Sequence, residues 1–85
     1  MRDMTKYRLC AGLPAPPAAK LIYCYLVEYG DHGSMILPVK RLAKAVGLSR
    51  TATARNLHRL ESLNLLAIRP RYAEDGGRLA NRYLL

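Results

Sequence analysis

Within the stretch "GLSRTATARNLHRL", residues 47–60, Arg50, Thr51, Ala54, Arg55 and His58 recur at helical spacing with no Asp or Glu among them. These side-chain types suit one chemistry. Arginine can hold guanine O6 and N7 with two parallel hydrogen bonds, or grip a phosphate, and Thr and Ala can touch a thymine methyl. Lys40, Arg41 and Lys44 lie just upstream, and no acid interrupts the span from Pro38 to Leu60. Such a face is either an ordinary solvated one or a surface built to sit against a polyanion. Further cations, Arg69, Arg71 and Arg78, flank a downstream turn, where Glu74 and Asp75 count against a close approach of phosphate.

Other chemistries lack their residues. Cys10, Cys24, His32 and His58 have no metal-ligand spacing, so no metal is expected. "EDGG" at 74–77 is too short for a calcium loop. No Gly-rich phosphate loop, nucleophile elbow or catalytic pair stands out, so neither catalysis nor a cofactor is expected. Two cysteines do not make a disulfide framework, and Cys24 in its apolar run reads as a small hydrophobe.

Composition agrees with the basic span. The chain has 85 residues with 14 Lys plus Arg against 6 Asp plus Glu, a net charge of +8. That bias favours an anionic partner, nucleic acid first. A hydrophobic fraction of 51% supports one modest core, and with no Phe or Trp the aromatic packing falls to six tyrosines. Without a signal peptide or a long apolar run, the expected location is cytoplasmic, with no membrane partner.

Elements must aim these side chains. Residues 1–13 read as an N-terminal arm and 14–85 as the domain. "AAKLIYCYLVEYG" predicts a helix from about Ala18 to Tyr29, stopped by Gly30, with Ile22, Tyr25, Leu26 and Tyr29 on one face and Tyr23 and Val27 on a second apolar flank. So apolar a helix is either the central beam of the core or meets another copy of the chain. "SMIL" at 34–37 reads as a short strand. Pro38 opens a second helix, with Val39, Leu42, Ala43 and Val46 inward, and Gly47 ends it. Ser49 is the expected N-cap of a third helix, about 49–63, with Thr53, Leu57 and Leu60 inward and Asn64 as a left-handed stop. Arg59, near its end, suits a DNA contact and equally a pairing with Glu61 or with a residue of the hairpin. Segments 65–72 and 78–85 read as a hairpin around "AEDGG".

Two helices joined by a tight Gly-containing turn form a helix-turn-helix unit, whose second helix must be slim and basic outside and apolar inside. "VKRLAKAVGLSRTATARNLHRLESLNLLAIRPR" followed by "GGRLANRYLL" resembles the winged helix-turn-helix superfamily, in particular short bacterial and phage domains with an LAxxxGxS turn, an LxxLExxxLI helix end and a terminal NRYxL strand. The resemblance covers about residues 13–85. It departs at Asn64, where the family usually has Gly, and at Thr53 and Asn56, where small or apolar residues are usual, which points to a slightly looser inner face.

The resemblance implies an α+β winged helix of three helices and a C-terminal hairpin wing. It implies double-stranded DNA as the partner and a role as a small transcriptional regulator, or alternatively in plasmid or phage replication initiation or as a protein-interaction adaptor. The expected DNA contacts are Ser49, Arg50, Thr51, Ala54, Arg55 and His58 on the recognition helix, Lys40, Arg41 and Lys44 before it, and Arg69, Arg71 and Arg78 on the wing at 65–85. A homodimer through the first helix and the Met1–Leu13 arm is expected, because two-fold pairing doubles the site that is read.

Overall fold

The computed structural model describes residues 11–85, so Cys10 and most of the arm lie outside the described residues. The described elements run α1 (Pro17–Tyr29), β1 (Ser34–Ile36), α2 (Val39–Val46), α3 (Arg50–Ser62), β2 (Ala67–Tyr72) and β3 (Arg78–Leu84).

Local chemistry explains where the helices begin and end. Pro17 occupies the first turn of α1, where its missing N–H has no intrahelical partner to lose. Gly30 ends α1, but at φ −75° it is not the left-handed stop of the usual kind. A Cβ there would lie 2.6 Å from the Leu26 carbonyl oxygen, so close backbone approach is what requires glycine. Gly47 does end α2 in the left-handed region, at φ 75°, with the Leu48 N–H returning to the Ala43 carbonyl. The end of α3 is closed the same way without glycine. Asn64 takes φ 61°, its N–H donates to Glu61 O, and the Leu65 N–H donates to Leu60 O.

The three helices bury their inner faces together. Ala19, Ile22 and Leu26 of α1, Leu42 of α2, and Leu57 and Leu60 of α3 meet Leu37, Leu66 and Tyr83 in one cluster. Thr53 is also fully buried, and its hydroxyl donates to the Ser49 carbonyl at 2.8 Å. The position therefore carries no unsatisfied hydroxyl, and Asn56 on the same helix donates its side-chain amide to the Ala52 carbonyl at 2.8 Å. Tyr29 departs from expectation too. It is 65% exposed and packs on Tyr25, with ring centroids 4.6 Å apart, instead of entering the core. At the end of α1 the face turns past the last element that could cover it.

"SMI" does form a strand, and its partner is the far end of the chain. The sheet order is β1-β3-β2, all antiparallel, so the hairpin is completed by a third strand. Tyr83 sits at the centre, opposite Met35 on one side and Ile68 on the other. It carries the sheet's inner face into the helical core at 0% exposure. The outer edge strand β2 contains Pro70, which has no N–H for the ladder, and the register shifts in a bulge between Arg69 and Arg71.

Candidate nucleic-acid interface

The turn between α2 and α3 sets the direction in which the outer face of α3 points. Gly47 reverses the chain and the Ser49 side chain caps α3, its hydroxyl oxygen accepting the Ala52 N–H at 3.0 Å. Leu57, Leu60 and Thr53 hold the helix from inside. The opposite side then follows from the helical period. Arg50, Thr51, Arg55 and His58 are exposed, and Ala54 is half-buried at the edge of the face. Val39, Arg50, Thr51 and Ala54 line one open groove of about 500 Å³, which joins the starts of α2 and α3.

The electrostatics of this face are one-sided. Lys40, Arg41 and Lys44 on α2 and Arg50, Arg55 and Arg59 on α3 are all exposed. Neither helix carries an acid in its first turn. Arg50 is the first residue of α3, at the positive end of the helix dipole, where a carboxylate would ordinarily be favoured. A cation there is unfavourable for the isolated helix, and an anion at the helix start relieves it.

Glu61, the one acid of α3, is withdrawn from the face. One carboxylate oxygen accepts the Ile68 N–H at 3.1 Å, and the other lies 3.8 Å from His58 Nδ1. Of the partners open to Arg59, Glu61 is taken up elsewhere. Glu61 serves the β2 backbone, and Arg59 is left exposed.

The wing arginines are held unequally. Arg71 donates to the Ala80 carbonyl at 3.1 Å and is half-buried. Arg78 donates to the Asn81 side chain, and its guanidinium lies 5.6 Å from the centroid of the Tyr72 ring. Arg69 is exposed. At the wing tip the Asp75 carboxylate accepts the Gly77 N–H at 2.8 Å, within a turn closed by Ala73 and Gly77. Asp75 therefore serves its own loop, and Glu74 stays exposed beside it. Neither the bond of Arg71 to Ala80 nor the tie between Glu61 and Ile68 has a sequence signal, because each depends on how separate elements come together.

No helix among the described residues is long and apolar enough to cross a membrane. Among the same residues no three His, Cys, Asp or Glu side chains gather as a metal would require. No curated protein and no solved structure matches the chain. A family model described as a helix-turn-helix domain matches residues 16–66, from the start of α1 to the residue before β2. That span is more than half of the chain and takes in the turn, the cap and the basic face described above. With α2, the Gly47 turn and the capped α3 in this arrangement, and β2 and β3 behind them as a wing, the chain belongs to the helix-turn-helix domain family.

Proposed function

We propose that this protein binds double-stranded DNA in a sequence-specific manner, as a small transcriptional regulator. The recognition helix α3 enters the major groove, which is about 12 Å wide and admits one helix. Arg50, Thr51, Ala54, Arg55 and His58 face the base edges there. Ser49 and the free N–H groups at the start of α3 lie against phosphate, as do Lys40, Arg41 and Lys44. Arg69, Arg71 and Arg78 supply backbone contacts from the wing. The observation that carries this reading is the outward-facing cation set on α2 and α3, whose first turns hold no acid, with Arg50 at a helix start that has no compensating carboxylate.

The test is titration of labelled duplex. Arg50→Ala and Arg55→Ala are each expected to weaken binding by about 1–3 kcal/mol where the arginine reads a base. The affinity is expected to fall with salt at a slope near −0.9 per neutralised phosphate. Binding that ignores both substitution and salt would refute the groove reading.

A paired state fits the same reading. Leu21, Tyr25 and Tyr29 recur every fourth residue on α1, and Leu21 and Tyr29 are 49% and 65% exposed. A second copy seated on that stripe would place two recognition helices on one duplex. Light scattering at high micromolar concentration tests it, and a monomer there counts against it.

A further inference from the structure

The three-stranded sheet has an outer face that the helices do not cover, and its charge is unbalanced. Tyr83 points inward, so strand alternation turns Arg82 outward. The register places Arg82 directly opposite Arg69 on β2, and opposite Ile36 on β1. Both arginines are exposed, and Ile36 beside them is 44% exposed. Asp31 pairs with His32 and Glu61 with His58, and among the described residues neither arginine has an ion-pair partner. Among the described residues no hydrogen bond engages either guanidinium, in contrast to Arg71 and Arg78.

Directly opposed side chains on antiparallel strands have Cβ atoms about 4.5–5.5 Å apart, and like charges in that position destabilise the pair of strands. A fold served only by sheet stability would place an acid or a threonine at one of the two positions. Two guanidinium forks carried at opposed positions on adjacent strands instead suit an anion with several oxygens, which each fork can hold through two N–H donors.

We infer that Arg69 and Arg82 form a phosphate clamp on the outer face of the sheet, and that its ligand is the sugar–phosphate backbone of nucleic acid. The inference rests on the DNA-binding reading and extends the footprint across the outer face of the sheet, adding Arg82 as a contact paired with Arg69. Arg71 and Arg78 reach the backbone from positions already tied within the wing, and Arg69 with Arg82 adds an untied pair. The clamp carries no base information. It adds affinity and register.

Fluorescence anisotropy with a labelled mixed-sequence duplex, over a series of salt concentrations, tests the clamp. Arg69→Gln, Arg82→Gln and the double variant are expected to weaken binding to the same degree on unrelated sequences. Each phosphate that is no longer neutralised is expected to flatten the salt slope by about 1. Arg82→Lys, which keeps the charge, is expected to retain most of the slope. The melting temperature of the double variant is expected to hold or rise, because the like-charge opposition is gone.

Unchanged affinity and slope in the double variant, with wild-type protein still binding duplex, would overturn the clamp and leave the groove reading standing. Wild-type protein that binds no duplex would remove both. A lower melting temperature in the double variant would assign the two arginines to the sheet and overturn the clamp. A titration with inorganic phosphate alone, followed by NMR, separates the sources of the anion. Saturable shifts at Arg69 and Arg82 without any effect of the variants on duplex binding would mark a small-anion site and overturn the nucleic-acid assignment.

Discussion

The carboxylate of Glu61, in the last turn of α3, accepts the backbone N–H of Ile68, 3.1 Å away at the start of β2. This one bond joins the recognition helix to the wing across the Asn64 turn. The angle between them therefore does not depend on the loop alone.

Glu61→Ala is expected to release β2 from α3. Hydrogen bonds to charged groups contribute about 1.5–3 kcal/mol, but this side chain is 41% exposed, so a loss of about 1 kcal/mol is expected. Glu61→Gln keeps an acceptor and is expected to lose less. Urea unfolding gives the magnitude. Amide exchange at Ile68 shows whether the loosening is local, and protection unchanged in the Ala variant would refute the tie.

Two glycines are expected to fail differently as alanine. At Gly47 nothing lies within 4 Å of an added Cβ, so Gly47→Ala meets only the left-handed φ of 75° and is expected to cost about 1–2 kcal/mol. At Gly30 the backbone is ordinary, but the Cβ would meet the Leu26 carbonyl oxygen at 2.6 Å. Overpacking of that kind costs about 1–3 kcal/mol and moves backbone. The distinguishing measurement is Gly→Asn at both positions. Asparagine tolerates the left-handed region, so it is expected to recover stability at Gly47 and not at Gly30.

The Tyr83 hydroxyl is buried with no hydrogen-bond partner of good geometry. Tyr83→Phe is therefore expected to leave stability at neutral pH unchanged or raise it by about 1 kcal/mol, since an unsatisfied polar group leaves the core. Burial also pushes the Tyr83 phenol above its ordinary value of 10.0, against the opposing pull of the nearby Asn81 side chain and the Arg78 charge. The folded state then holds its proton more tightly than the unfolded chain does. The neutral phenol's contribution is whole below pH 10 and is lost as pH rises through the folded value. Unfolding followed from pH 8 upward is expected to show a steeper alkaline decline in the parent than in Tyr83→Phe. Equal slopes would contradict the shift.

Ser49→Ala removes the α3 cap and is expected to cost about 1 kcal/mol. Arg50 and Thr51 occupy the first turn of that helix, so fraying there is also expected to weaken duplex binding. Ser49→Asp keeps the cap, and its stability is expected to match or exceed the parent. Its carboxylate would lie where phosphate is proposed, so its affinity is expected to fall further than that of Ser49→Ala. Stability and affinity that move together across the two variants would place the phosphate elsewhere.

Much of this frame was legible in the chain as written. The spacing of Thr53, Leu57 and Leu60 marks the inner side of α3, and Gly47, Ser49 and Asn64 mark its boundaries, because each acts on its own backbone within a few residues. What was not legible depends on elements distant in sequence. Three residues of β1 say nothing about pairing with β3. Glu61 reads as a partner for Arg59 until β2 arrives beside it. Tyr29 continues the apolar period of α1, and only the extent of the neighbouring elements leaves it in solvent. Arg82 reads as a strand residue until the register places it against Arg69.

The bulge at Pro70 has a consequence for crowded nucleic acid. Many copies bound along one duplex would bring sheet edges close together. An open edge invites a neighbouring chain to add itself as another strand. Here one edge is β1, three residues long, and the other is β2, broken by a residue with no N–H to offer. Both edges are thus poor templates for a further strand, which lowers the tendency of closely packed copies to aggregate.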